Sequence, residues 1–216
     1  MDGPALLADV RESTATELDR LGSEKSLLAA TEARLEPDPV LVTAATVLAT
    51  ARDTLGEWAQ AATDGAATDV LASAAATVED AFETVAADLD DGADGPDTAE
   101  TVADLDAPFL ELAATGDIER VAAAAIGAPL VLDRLFLQMV SFFVNEADET
   151  HANLFRELRD EMEGLLADGQ DTLETLCTAS EEWERAESAA AAVVTTAYDD
   201  YATRLDAMGF DPKPIC

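Results

Sequence analysis

Apolar residues recur at helical spacing through most of this chain, and no segment holds the two-residue alternation of a strand. Behind Pro4, which suits a first helical turn, Leu6, Leu7, Val10, Leu18, Leu21, Leu28 and Leu35 keep a rough 3.6-residue period and predict one helix over residues 5–35. Glu36-Pro37-Asp38-Pro39 breaks it, with Asp38 placed to cap a second helix whose first position is Pro39. That helix runs to about residue 63, its inner side marked by Val40, Val47, Leu48, Leu55 and Trp58, and Asp64-Gly65 ends it. A third helix over 67–89 sets Val70, Leu71, Val78, Phe82, Val85 and Leu89 in one stripe.

Residues 90–97, DDGADGPD, combine Gly, Pro and clustered carboxylates, and mark an exposed connection between two helical halves. A shorter helix over 98–114, bent near Pro108, follows, and Gly116-Asp117 turns into the next. Residues 118–144 hold the densest apolar run, IGAPLVLDRLFLQMVSFFV. A membrane span needs roughly 20 mostly apolar residues, and a charge at its centre costs about 2.5 to 3.5 kcal/mol. With Asp133 and Arg134 inside it, the run reads as a buried central helix kinked near Pro129. Asp133 and Arg134 point about 100° apart, so each pairs with another helix rather than with its neighbour.

Residues 146–150 contain neither Gly nor Pro, so the pattern leaves open whether that helix stops near Asn145 or continues to Leu166. Asp168-Gly169 reads as a firm break, and a last region over 171–208 is interrupted near Ala179-Ser180, where Glu181 and Glu182 resemble a helix start. The sum is an all-α chain: an up-and-down bundle of six or seven helices in a single domain over 1–209, with an extended tail over 210–216.

Composition changes the picture of the surface. Forty-six acidic residues against twelve basic ones give a formal charge of −34, and Lys25 and Lys213 are the two lysines. At about 0.1 M salt the screening length is near 10 Å and such a surface repels itself; at about 1 M it falls to about 3 Å. The balance therefore reads as adaptation to a salt-rich cytosol. The ten arginines are scattered singly, which argues against direct nucleic-acid binding. MDGPALLADVRE lacks the basic n-region and apolar stretch of a secretory signal, so a cytoplasmic location is expected, with no membrane partner.

His151 is the one histidine, and Cys177 and Cys216 have no metal-ligand or redox spacing. In helical register His151 shares a face with Val144, Ala147, Leu154, Phe155, Leu158 and Met162, with Asp148 three residues earlier. Asp148-x-x-His151 matches half of the carboxylate-x-x-His element from which di-iron bundles take two ligand pairs. The second half is missing, because Glu57-Trp58-Ala59-Gln60 has Gln where His is required. Glu17 and Glu24, seven apart, are the glutamates available to face the same interior. No nucleophile elbow, phosphate loop or dinucleotide fingerprint appears. Phe136, Phe142 and Phe143 form a cluster beside which a small-molecule pocket is a third reading, while Trp58, Trp183, Tyr198 and Tyr201 serve as anchors in an Ala-rich core.

Three stretches, VLDRLFLQMVSFFVNEADETHANLFRELRDE (131–161), DDYATRLDAMGFDPKPIC at the end and ELDRLGSEKSLLAA near the start, resemble a family of small acidic all-helical haloarchaeal proteins labelled rubrerythrin-like or transcription-antitermination proteins. The first label implies a ferritin-like bundle, with iron as cofactor and the family's ligands carried to Asp148 and His151. The second implies a helical adaptor of the transcription machinery. Taken with the incomplete ligand set, the expectation is a non-enzymatic interaction or regulatory protein without a cofactor. It calls for a protein partner and is compatible with a homo-oligomer. The alternative is a metal-binding oxidoreductase with a degenerate di-iron site.

Overall fold

Capping residues and small side chains set where each helix starts and how closely it approaches its neighbours. The computed structural model describes residues 1–90 and 116–212. The helix expected over 98–114, the connection after Asp90 and the end of the tail lie outside the described residues. All regular structure among the described residues is α-helical, apart from one π-helical turn.

The opening segment forms three short helices rather than one: α1 (Gly3–Ser13), α2 (Ala15–Leu21) and α3 (Glu24–Ala30). Asp2 caps α1 by accepting from the Ala5 amide at 2.9 Å. Buried Thr14 interrupts the first helix, its hydroxyl donating to the Val10 carbonyl at 2.7 Å, and Gly22-Ser23 interrupts the second. Glu32 and Ala33 then take left-handed backbone, with φ of 51° and 64°, turning the chain into α4 (Pro37–Ala61). Glu36, not Asp38, stands before this helix, and Asp38 lies in its first turn. These divisions account for eight helices among the described residues where six or seven were expected.

Helices α4 and α5 (Gly65–Asp90) pack along each other through Ala44, Leu48, Ala51 and Leu55 on one side and Val70, Leu71, Ala74, Val78, Ala81 and Val85 on the other, all buried. Asp64 Oδ1 accepts from the Ala66 amide at 2.8 Å and starts α5.

The central helix is α6 (Asp117–Asn145). It is long and apolar enough to cross a membrane, but 72% of its most apolar window is buried within the bundle, as in the core helix of a packed domain. The expected irregularity near Pro129 takes the form of a π-helical turn at Ala123–Gly127. A proline lacks an amide hydrogen and crowds the carbonyl four residues earlier, here Ala125, and a widened turn relieves that clash.

A three-residue reversal leads to α7 (Glu149–Leu176), which answers the open question over 146–150: α6 stops at Asn145. Ala147 makes the reversal with φ of 59°. Asp168-Gly169 does not break α7. A Cβ on Gly169 would lie 2.6 Å from Ala125 Cβ and 2.7 Å from its carbonyl oxygen, so this glycine lets α7 touch the α6 backbone. Gly127 plays the same part toward α8 (Ser180–Ala207), where a Cβ would lie 2.7 Å from the Ala190 carbonyl. Glu182 starts α8 by accepting from the Thr178 and Ala179 amides at 2.6 and 2.9 Å.

The layers follow from these contacts. Helix α5 lies on α7, α7 on α6, and α8 crosses the π turn, while α1, α2 and α3 pack against α8. Trp183 and Tyr201 are buried, as anchors should be, whereas Trp58 and Tyr198 are half-buried. Asp133 pairs with Arg159 of α7 at 2.8 Å, the interhelical partner its position called for.

Candidate functional site

Asp148 is the residue before α7, and its position there determines what its carboxylate can do. One oxygen, Oδ1, accepts from the His151 amide at 3.1 Å and caps the helix. The other, Oδ2, lies 2.5 Å from His151 Nδ1. That side-chain hydrogen bond to His151 holds the Asp148 carboxyl below the usual range, against the opposing effect of burial. The pair is thus local: three residues apart, one helical turn, fixed by the cap.

A third residue joins from a distant part of the chain. Asp88, near the end of α5, places Oδ2 3.3 Å from His151 Nε2. The approach lies outside hydrogen-bonding angles, and Nε2 is shielded from solvent without a hydrogen-bond partner, so the contact is electrostatic. One carboxylate stands at each ring nitrogen, and together they tie the start of α7 to the end of α5. The imidazole also rests on an aromatic column: its centroid is 4.9 Å from Phe143, Phe143 stacks on Phe155 at 5.7 Å, and Phe155 meets Phe136 at 5.8 Å.

This donor set does not fit the iron pair that the family resemblance carries to Asp148 and His151. Ligands about 2 Å from one ion stand about 3 Å from each other, whereas Asp148 Oδ2 and His151 Nδ1 are 2.5 Å apart, a separation that accommodates a proton. Asp88 faces the opposite nitrogen, so the two carboxylates diverge. Glu17 is half-buried and Glu24 exposed, and neither joins the group. Among the described residues no cluster of three or more His, Cys, Asp or Glu side chains is arranged to hold a metal ion. Gln60, where a second histidine was sought, is exposed and donates to the Gly56 carbonyl.

Cys177 is buried, and desolvation, with Glu182 and Glu119 adding to it against Arg185, pushes its thiol up to about 11. Burial thus favours the thiol over the reactive thiolate. The Phe136 and Phe143 rings are fully buried in the column, and Phe142 alone of the three-residue cluster reaches an open groove.

Sequence reasoning found Asp148 and His151 and missed Asp88. Nothing in a chain of 46 acidic residues distinguishes Asp88 locally, since its role appears when α5 is laid on α7. A second tie was also unseen: Asp117 Oδ2 accepts from the Thr63 amide and hydroxyl and the Asp64 amide at 3.0, 2.8 and 2.8 Å, while Arg120 donates to the Ala61 carbonyl at 3.1 Å. Burial raises the Asp117 pKa, but these hydrogen bonds and the Arg120 charge outweigh it and leave the carboxyl below its usual range. No family model, curated protein or solved structure matches this chain.

Proposed function

We propose that this chain is a non-enzymatic helical interaction protein of a salt-rich cytoplasm. The observation that supports this reading is the use made of the sole histidine. His151 is the side chain best suited to proton transfer or metal ligation near neutral pH. It is held between Asp148 and Asp88 on a phenylalanine column, joining two helices. Such an arrangement stabilises a fold, and Cys177 is buried and protonated beside Trp183 at the start of α8. The charge of −34 supports the salt-rich setting.

The test is elemental mass spectrometry on protein purified without chelators in about 1 M KCl, where surface attraction of stray cations is screened, run beside His151→Ala. The proposal expects no stoichiometric iron or manganese in either protein. Near-stoichiometric metal that disappears in His151→Ala would overturn it in favour of the oxidoreductase.

A further inference from the structure

The two carboxylates at the His151 ring make contacts that differ in kind. Asp148 Oδ2 stands 2.5 Å from Nδ1 in a hydrogen bond. An ionised carboxylate accepts and cannot donate, and the Asp148 carboxyl is held below its usual range, so Nδ1 supplies the proton. In a neutral imidazole that is the ring's one N–H, which leaves Nε2 as a bare lone pair. Asp88 Oδ2 lies 3.3 Å from Nε2, and Nε2 is closed to solvent without a hydrogen-bond partner. A lone pair and a carboxylate so placed repel, and a nitrogen shut off from water cannot relieve that repulsion by hydration. A second proton, on Nε2, reverses the sign of the contact: the ring becomes a cation between two anions.

The surroundings leave this one proton in control. Asp148 and Asp88 are the acids within 4 Å of the ring nitrogens among the described residues. Glu149, next along α7, is 3.6 Å from Arg156, and from α6 the ring meets the uncharged face of Phe143. The His151 side chain is 20% exposed, whereas that of Asp88 is 42% exposed and has an open route to water. Histidine is the side chain whose ordinary charge change falls between about pH 5 and 8, and this chain has one. We infer that Asp148, His151 and Asp88 form a proton-operated clasp, which with both ring nitrogens protonated fastens the last turn of α5 to the first turn of α7, and which releases Asp88 when Nε2 loses its proton. The Asp148 side of the clasp holds in both states, because Nδ1 keeps its hydrogen. The change is therefore confined to the end of α5. This deepens the structural reading of His151 given above and rests on it.

The test is a set of thermal melts in about 1 M KCl with EDTA, at about pH 5.5 and about pH 8, on either side of the ordinary imidazole value. Asp88→Asn removes the charge that faces Nε2, and Glu83→Gln, at an exposed position on the same helix, controls for the loss of one acid. At the lower pH Asp88→Asn should melt about 1 to 3 °C below the control, the worth of a partly exposed ion pair in a chain of this size. At the higher pH it should melt level with the control or above it, because the Asn amide can donate to a bare Nε2. In a His151→Gln background, which has no titrating ring, the difference between Asp88→Asn and the control should be the same at both pH values. An Asp88→Asn effect in the parent that does not change with pH, or a pH-dependent effect that persists without the histidine, would overturn the clasp. A pH-independent effect in EDTA refutes the clasp alone; metal lost on His151→Ala refutes the interaction reading itself.

Discussion

Two glycines in α7, five residues apart, should answer the same substitution with opposite signs. Gly164 and Gly169 both sit inside Glu149–Leu176, and replacing a helix-interior glycine by alanine ordinarily gains about 1 kcal/mol. At Gly164 an added Cβ meets nothing within 4 Å, so Gly164→Ala should keep that gain. At Gly169 the Cβ would stand 2.6 Å from Ala125 Cβ, 2.7 Å from its oxygen and 3.1 Å from its carbonyl carbon. Two of these three are backbone atoms, in the π-helical turn that Pro129 already constrains, so the helices must separate rather than a side chain swing away. Overpacking of this kind costs about 1 to 3 kcal/mol, and parting two helices belongs at the upper end, which exceeds the propensity gain. The propensity gain is common to both variants, so they should differ by the overpacking cost itself, about 2 to 3 kcal/mol. In a chain of this size each kcal/mol moves Tm by about 2 to 4 °C, so thermal melts followed by circular dichroism in molar KCl resolve the difference easily. Equal stabilisation of both variants would mean that α7 does not approach the α6 backbone, and the packing argument would fail.

Three further outcomes follow from the ties between helices. Asp117→Ala should cost about 1 to 2 kcal/mol in denaturant unfolding by releasing the Thr63 and Asp64 hydrogen bonds. Because the folded Asp117 pKa is lowered, its contribution is complete above the ordinary value of 3.8 and is lost as pH falls through the folded one, so the variant should lose less stability than the parent over that acid range. Asp148→Asn should retain the cap of α7, whereas Asp148→Ala should be less stable than Asp148→Asn by about 1 kcal/mol; equal stabilities would show that the cap contributes nothing. Dilution from about 1 M to 0.1 M KCl should lower Tm, partly at the seam of α5 and α7. There Glu161 keeps a solvent-facing edge, yet desolvation and then Asp80 and Glu157 push its carboxyl above the usual range, and a Tm independent of salt would contradict the self-repulsion argument.

The helical class and most helix positions were legible because apolar spacing alone carries them, as in α4, α5 and α8. Breaks were legible where Pro or cap chemistry made them, at residues 36–39 and at Ala179-Ser180. They were invisible where tertiary contact made them. Ala147 reverses the chain with an alanine in left-handed backbone, and Thr14 divides α1 from α2 without any glycine. Gly169 misled in the other direction: a glycine tolerated for close helix approach looks, in sequence, like one that ends a helix. The same limit governs the site. Asp148 and His151 are one turn apart and therefore share a local pattern, while Asp88 is brought in by packing of α5 on α7.

With one histidine in the chain, nitrogen NMR of that imidazole reads the central claim, that His151 is a structural bridge, without interference from any other ring. In molar KCl the two ring-nitrogen signals should stay unchanged on dialysis against EDTA and on adding an equivalent of Zn(II), while Asp88→Asn and Asp148→Asn should each shift the nitrogen they face. A metal-induced shift at Nε2 that EDTA reverses and Asp88→Asn abolishes would contradict the account and make the histidine a ligand.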